Sequence, residues 1–351
     1  MVFLGVMLGG GTRLAFFPVS SSTIRVASLS PQPPIPRTGD PQDLGAIVAG
    51  KATAKQISEF RTASRAASDD LLMRSAREST ARAKIVFWSE TAIYLLAEDE
   101  PQLLAGGHAL ASRYHVYLGM ALGVWTPGRT RPLENKLVLI QPDGEIVWQY
   151  LKARPTPGPE AAAVEKSDNR LLTLQTSFGR IAGTICYDMD FPSFIVQAGP
   201  QRTDIMLVPA GDWRGIDPRH SQIASFRAVE QGFNLVRQGN RGLSAAYDYE
   251  GHVIARMDHY LAEELTMVSQ IPIRGVQTLY SRLGDWLAYL CSLLGILAMR
   301  SEEVPSQGEW LKRELRDPLG CVLSDRSSQT QVTRSDSRLM TFANALREHR
   351  G

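Results

Sequence analysis

Apolar residues along this chain gather into short runs rich in Val, Ile and Leu, each broken off by a polar turn or by proline. Such runs predict buried β-strands, because a strand covered on both faces loses its alternation. Strands are expected over residues 23–29, 84–88, 116–124, 136–140, 146–151, 171–175, 180–185, 205–210, 234–238, 243–248 and 253–257. Pro142-Asp143-Gly144 closes one hairpin, where proline fixes φ and glycine turns the chain. Phe178-Gly179 and Glu250-Gly251 mark two further turns. Helical composition fills residues 54–83, with Ser68 as the expected N-cap of its second half, and also 101–114 and 220–231. This alternation predicts an α/β fold, and two sheets with helices outside, an α-β-β-α sandwich, satisfy the ordering.

The two ends differ from this middle. Residues 1–22 are apolar but short and glycine-rich, without the 18–20 uninterrupted apolar residues of a spanning helix. A membrane-helix remnant, a weak signal sequence and an unstructured start are all open readings. From Trp286 to Met299 no charge occurs, and Asp285 and Arg300 bound the stretch. A domain over 23–275 is therefore expected to lead into an apolar helix over 276–300, either a core or interfacial helix or a membrane anchor. Residues 301–351 are polar and weakly patterned and are expected to be disordered.

Length and composition agree with a large α/β domain: 351 residues, 44% of them hydrophobic. The net charge of +2 gives nucleic-acid binding no support. Cys186, Cys291 and Cys321 form no C-x-x-C pair and the six histidines show no ligand spacing, so neither a disulfide framework nor a zinc site is expected. A mechanism without metal or cofactor fits best.

Three of the apolar runs end on an ionisable residue. Glu90 follows residues 84–88, Lys152 follows 146–151, and Cys186 follows 180–185 in Gly183-Thr184-Ile185-Cys186-Tyr187-Asp188. A strand end fixes a side chain while its loop admits substrate, so a carboxylate, an ammonium and a thiol can converge at one sheet end. Plainer roles stand beside these: a buried structural thiol, a helix-capping Glu90 and a solvated Lys152. Asp212-Trp213 also follows a strand and is either a pocket wall or a packing element, whereas Arg227 and Glu230 look catalytic by charge but, lying on one helix, read as a structural ion pair or helix-surface groups.

The order Glu90, Lys152, Cys186 resembles the nitrilase, or carbon-nitrogen hydrolase, superfamily. Trp88-Ser89-Glu90-Thr91-Ala92, Cys186-Tyr187-Asp188, Phe226-Arg227-Ala228-Val229-Glu230-Gln231-Gly232, Arg237-Gln238-Gly239-Asn240-Arg241-Gly242-Leu243-Ser244-Ala245 and Leu279-Tyr280-Ser281-Arg282-Leu283-Gly284-Asp285-Trp286 look like the catalytic domain of the apolipoprotein N-acyltransferase family, over roughly residues 23–299. The resemblance implies the four-layer sandwich and a thioester acyl-enzyme on Cys186, with Glu90 as base. Lys152 and the Tyr187 N–H would hold the oxyanion, and Glu160 would support Lys152, unless it is an ordinary loop carboxylate. Tyr187, Asp188, Asp212 and Trp213 would line the substrate site. A phospholipid acyl donor, a lipoprotein N-terminal amine as acceptor and membrane association are implied as well.

Two departures limit this. That family carries several membrane helices ahead of the domain, whereas about twenty residues precede the first strand here, and Asp188 stands where a glutamate is usual. The alternatives are a soluble, cytoplasmic amidase acting on small amides, or a non-catalytic scaffold of the same fold.

Overall fold

The computed structural model describes residues 2–16, 19–32 and 41–301. The tail expected to be disordered lies, beyond Ser301, outside the described residues, as does most of the proline-rich segment at 31–40.

Helix α1 (Val2–Phe16) precedes β1 (Thr23–Leu29), and α2 (Pro41–Val48) and α3 (Ala54–Thr80) follow. Helix α3 is continuous, so its N-cap is Thr53 and not Ser68. Thr53 and Gln56 form a reciprocal capping box. Ser68 sits inside the helix and donates to the Ser64 carbonyl at 2.7 Å, which answers its hydroxyl without breaking the backbone ladder.

The first sheet continues with β2 (Ile85–Trp88), β3 (Ile93–Leu96), then, after α4 (Glu100–Tyr114), β4 (Tyr117–Trp125), β5 (Leu133–Ile140) and β6 (Ile146–Leu151). Short α5 (Pro159–Ala163) leads to the second sheet: β7 (Leu172–Thr176), β8 (Gly179–Gly183), short α6 (Pro192–Ile195), β9 (Ile205–Gly211), α7 (Arg219–Gln231), β10 (Asn234–Asn240), β11 (Leu243–Tyr247) and β12 (Val253–Asp258). Strand β13 (Thr266–Pro272) returns to the first sheet beside β1. The sheet orders are β13-β1-β2-β4-β5-β6, with β3 also on β4, and β12-β11-β10-β9-β8-β7. Strand β13 is missing from the expected set because Thr266, Ser269 and Gln270 interrupt its apolar pattern, although Ser269 is buried.

The two sheets face each other. Ile85 and Phe87 of β2 pack with Ile181, Leu207 and Val236 of the second sheet, whereas Val86 and Trp88 turn outward to Leu71 of α3 and Ala111 of α4. On the far side Met206, Val208 and Leu235 pack with Ala224 and Ala228 of α7. Helix, sheet, sheet and helix thus form the expected α-β-β-α sandwich, and double coverage explains why its central strands read as unbroken apolar runs.

Residues through Trp286 form one compact unit that includes α8 (Leu279–Leu283). The apolar stretch forms α9 (Trp286–Ser301), whose Leu287, Leu290, Leu293, Leu294 and Leu297 are exposed. Leu4, Met7, Leu8 and Leu14 of α1 are exposed too. Among the described residues no helix is long and apolar enough to cross a membrane.

Candidate active site

Strands β2 and β3 both pair with β4, and residues 89–92 interrupt them. Thr91 adopts φ +42°, a rare conformation for a β-branched residue, and the kink carries Glu90 out of the strand line. Glu90 is buried, and three donors surround its carboxylate. Lys152 Nζ lies 2.7 Å and Asn135 Nδ2 2.8 Å from Oε1, while the Gly211 N–H is 2.8 Å from Oε2.

Lys152 follows β6 directly and is buried. Its ammonium also donates to Glu160 Oε1 at 2.7 Å, which leaves one of its three N–H bonds for another acceptor. Burial works against this charge, but the Glu90 and Glu160 carboxyl groups outweigh it and hold the Lys152 pKa above the ordinary lysine value. Glu160, on α5, is fixed in turn by the Thr156 N–H and hydroxyl at 2.8 and 2.5 Å. Burial raises its pKa, yet Lys152 and Thr156 prevail and lower it below the usual carboxylate value.

Cys186 stands three residues past β8 and opens a single turn of 3-10 helix, Cys186–Asp190. Its φ is +47°, so the thiol is presented on a strained elbow, a device that lifts a side chain off the strand end. The Sγ points to the Gly211 carbonyl at 3.5 Å. Gly211 therefore joins Cys186 through its oxygen and Glu90 through its N–H. Burial and the Glu90 charge push the Cys186 pKa well above the free thiol value, against the pull of Lys152 and Arg237, so the resting group is a thiol.

Behind the thiol lies a second charged cluster. Sγ of Cys186, a carboxylate oxygen of Asp212 and a ring nitrogen of His220 all lie within 4.8 Å of one another, the one group of this kind among the described residues that could hold a metal ion. These donors are already engaged. Arg237 binds both Asp212 oxygens at 2.8 Å, His220 Nδ1 lies 3.2 Å from Asp212, and His220 Nε2 lies 3.5 Å from Asp190. Burial opposes ionisation of Asp212, but the His220 hydrogen bond and the Arg237 guanidinium hold its pKa well below the carboxylate range.

The remaining candidates divide by exposure. Asp188 is fully buried and serves the fold: Oδ2 accepts from Tyr150 Oη at 2.6 Å and from the Ile185 N–H at 2.9 Å, and Oδ1 from the Arg154 N–H at 2.6 Å. It ties the end of β6 to the cysteine turn. Trp213 is exposed and packs edge-on to His220, and the Tyr187 ring lies tilted against the same imidazole at 6.1 Å between centroids. Arg227 and Glu230 pair at 2.7 Å on α7, as a structural ion pair should. Asn135, His220 and Arg237 escaped the sequence reading. A signal existed for two of them, since Asn135 and Arg237 are polar residues inside strands, but polar positions in a strand more often face solvent.

Residues 51–279 match the carbon-nitrogen hydrolase family. The chain belongs to that family. Among curated relatives it is 36% identical over 249 residues to the apolipoprotein N-acyltransferase of Rhodopseudomonas palustris, covering 63% of this chain and 46% of that protein. It is 27% identical over 245 residues to the enzyme of that name from Bradyrhizobium diazoefficiens, covering 62% and 45%. A match to apolipoprotein N-acyltransferase 2 of Treponema pallidum runs over 331 residues at 24% identity, covering 82% and 58%. The chain thus spans about half the length of these relatives. Among solved structures, an amidase from Nesterenkonia sp. superposes with a TM-score of 0.57 at 17% identity, over 78% of this chain and 98% of the amidase, a likeness of fold.

Proposed function

We propose that this carbon-nitrogen hydrolase fold performs acyl transfer through a thioester on Cys186, taking the acyl group from a phospholipid and passing it to an N-terminal amine of a lipoprotein. The observation that carries the reading is the buried Lys152 ammonium clamped between Glu90 and Glu160, with Gly211 bridging Glu90 to the Cys186 thiol. An uncharged buried thiol needs a base at the moment of attack. Glu90 takes the Cys186 proton as sulfur attacks the ester carbonyl. The free N–H of Lys152 and the Tyr187 N–H receive the oxyanion, and Glu90 returns the proton to the departing lysophospholipid alkoxide. The acceptor amine then attacks the thioester, its proton passes through Glu90, and the Cys186 thiol is restored.

Acyl transfer is favoured over hydrolysis by the sequence relatives named apolipoprotein N-acyltransferase. The exposed apolar faces of α1 and α9 support membrane association in the same way. The test supplies diacyl phospholipid micelles and a peptide with a free N-terminal cysteine amine, and follows acylated peptide against free fatty acid. Acylated peptide as the main product supports the reading. Fatty acid alone, with or without peptide, would make the protein a hydrolase and move the search to small amides.

A further inference from the structure

The turn that carries Glu90 is strained. Residues 89–92 separate β2 from β3, and backbone bonds tie its two ends, from the Ser89 N–H to the Leu29 carbonyl at 2.8 Å and from the Ala92 N–H to the Ala121 carbonyl at 3.0 Å. Between them Thr91 holds φ +42°. A β-branched residue persists there only where its surroundings over-determine it.

Those surroundings come from β3 and β4. Tyr94 of β3 pairs with Gly123 of β4, Gly123 pairs with Asn135 of β5, and the Lys152 N–H bonds the Asn135 carbonyl at 2.9 Å. Residues paired across strands share a face of the sheet, so Tyr94 stands in one row with Asn135 and Lys152, the two side chains that meet Glu90 Oε1. The Tyr94 ring crosses β4 because residue 123 has no side chain. A Cβ on Gly123 would lie 2.4 Å from Tyr94 Cδ1, 2.5 Å from Cε1 and 3.3 Å from Thr91 Cγ2, so the ring and the Thr91 methyl share the notch that glycine leaves.

The ring is also braced from behind. It stacks on Trp125 with centroids 6.2 Å and planes 27° apart, and the Ser64 hydroxyl of α3 donates to the Tyr94 carbonyl at 2.5 Å. Burial pushes the Tyr94 phenol pKa up, a side-chain hydrogen bond with Thr91 draws it back, and the Glu90 and Glu160 charges raise it again. The half-buried side chain thus reaches from Trp125, past Thr91, to the carboxylates around Lys152.

We propose that Tyr94 is the positioning residue for Glu90: its ring, seated in the Gly123 notch and backed by Trp125, holds the Thr91 turn so that the Glu90 carboxylate stays on Lys152 and Asn135. The inference rests on Glu90 serving as the base for Cys186. Without the ring, Thr91 relaxes out of the left-handed region and the carboxylate leaves its place, whereas Glu160 still holds Lys152. A misplacement of about 1 Å can cost about 10²-fold in rate.

Two measurements on the full chain test this: kinetics of acyl transfer from diacyl phospholipid micelles to a peptide amine, and the pH profile of iodoacetamide alkylation followed at the Cys186 peptide. Tyr94→Leu removes the ring and Gly123→Ala pushes it off β4. Each is expected to lower kcat at least about tenfold with KM within about twofold of the parent, whereas Tyr94→Phe keeps the ring and should retain kcat within about threefold. Burial raises the Cys186 pKa and the Glu90 charge raises it further. Displacing Glu90, with Lys152, Arg237 and Asp212 still acting on the thiol, should therefore move the alkylation midpoint of the first two variants to lower pH by about half a pH unit or more. A role in stability alone would lower the urea midpoint and leave the alkylation midpoint where it is. Parental kcat and alkylation midpoint in Tyr94→Leu, or an equal fall in Tyr94→Phe, would overturn the proposal. A parent that acylates no peptide ends the acyl-transfer reading instead, and the alkylation midpoints then decide the role of Tyr94 by themselves.

Discussion

Lys152 Nζ lies 2.7 Å from Glu90 Oε1, with both side chains buried, and Asn135 Nδ2 reaches the same oxygen. The contact holds the Lys152 ammonium beside Glu90; in the proposed mechanism Glu90 takes a proton and Lys152 meets the oxyanion.

Lys152→Met should therefore lower kcat by about 10² to 10³ or more, because it removes a donor aimed at developing charge. Glu160→Gln should lower it less, since Glu90 still holds the ammonium. Burial opposes the Lys152 charge, but Glu90 and Glu160 raise its pKa above 10.5, and that contribution to stability is lost as pH rises through the raised value. Burial likewise opposes Glu160 ionisation, but Lys152 lowers its pKa below 4.5, and its contribution is lost as pH falls through the lowered value. Urea unfolding from pH 3 to 11 should show the parent losing stability at both extremes and Glu160→Gln losing less at the acid one.

Asp188 carries the opposite sign. Burial raises its pKa from 3.8 to about 6 despite the hydrogen bonds from Tyr150 and Ile185. The folded state then holds its proton more tightly than the unfolded chain does, so this contribution is complete below pH 3.8 and lost as pH rises through about 6, on the order of 3 kcal/mol. Asp188→Asn should abolish that slope. It should also be less stable at acid pH by about 1–3 kcal/mol, because an amide nitrogen cannot accept from the N–H or hydroxyl it would face. Urea midpoints at pH 4 and 7 check both.

Arg237 is fully buried and holds both oxygens of Asp212. Arg237→Met strands a buried carboxylate and should cost about 3–5 kcal/mol, seen as a lower urea midpoint. Combining it with Asp212→Leu should restore much of that loss, since replacing a whole buried pair by apolar groups is often neutral.

Gly183 sits where the sheets approach. A Cβ there would lie 2.6 Å from Leu137 Cδ2 of β5 and 2.8 Å from Trp148 Cη2 of β6. Gly183→Ala should destabilise by about 1–3 kcal/mol through overpacking, and Gly183→Ala with Leu137→Val should recover part of it. A neutral Gly183→Ala in denaturant titration would contradict this packing of the two sheets.

The sandwich is legible because its central strands are uniformly apolar, and Glu90, Lys152 and Cys186 stand out as candidates because each closely follows such a run. Strand β13 is not, since Ser269 and Gln270 break its pattern and only pairing with β1 explains a buried serine there. Asp212 follows β9, His220 and Arg237 come from α7 and β10, and no local pattern announces that these three meet. Their cluster is a property of strand order, set by contacts far apart in sequence. The Ser68 cap failed for a local reason: a serine can answer its hydroxyl within a continuous helix.

The central claim is that Cys186 carries the acyl group. Intact mass of the protein after incubation with diacyl phospholipid micelles tests it, alongside Cys186→Ser. The account predicts a fatty-acyl mass gain on the parent alone, removed by hydroxylamine or by an amine acceptor. No adduct on the parent, with Cys186 still rapidly alkylated by iodoacetamide, would contradict it.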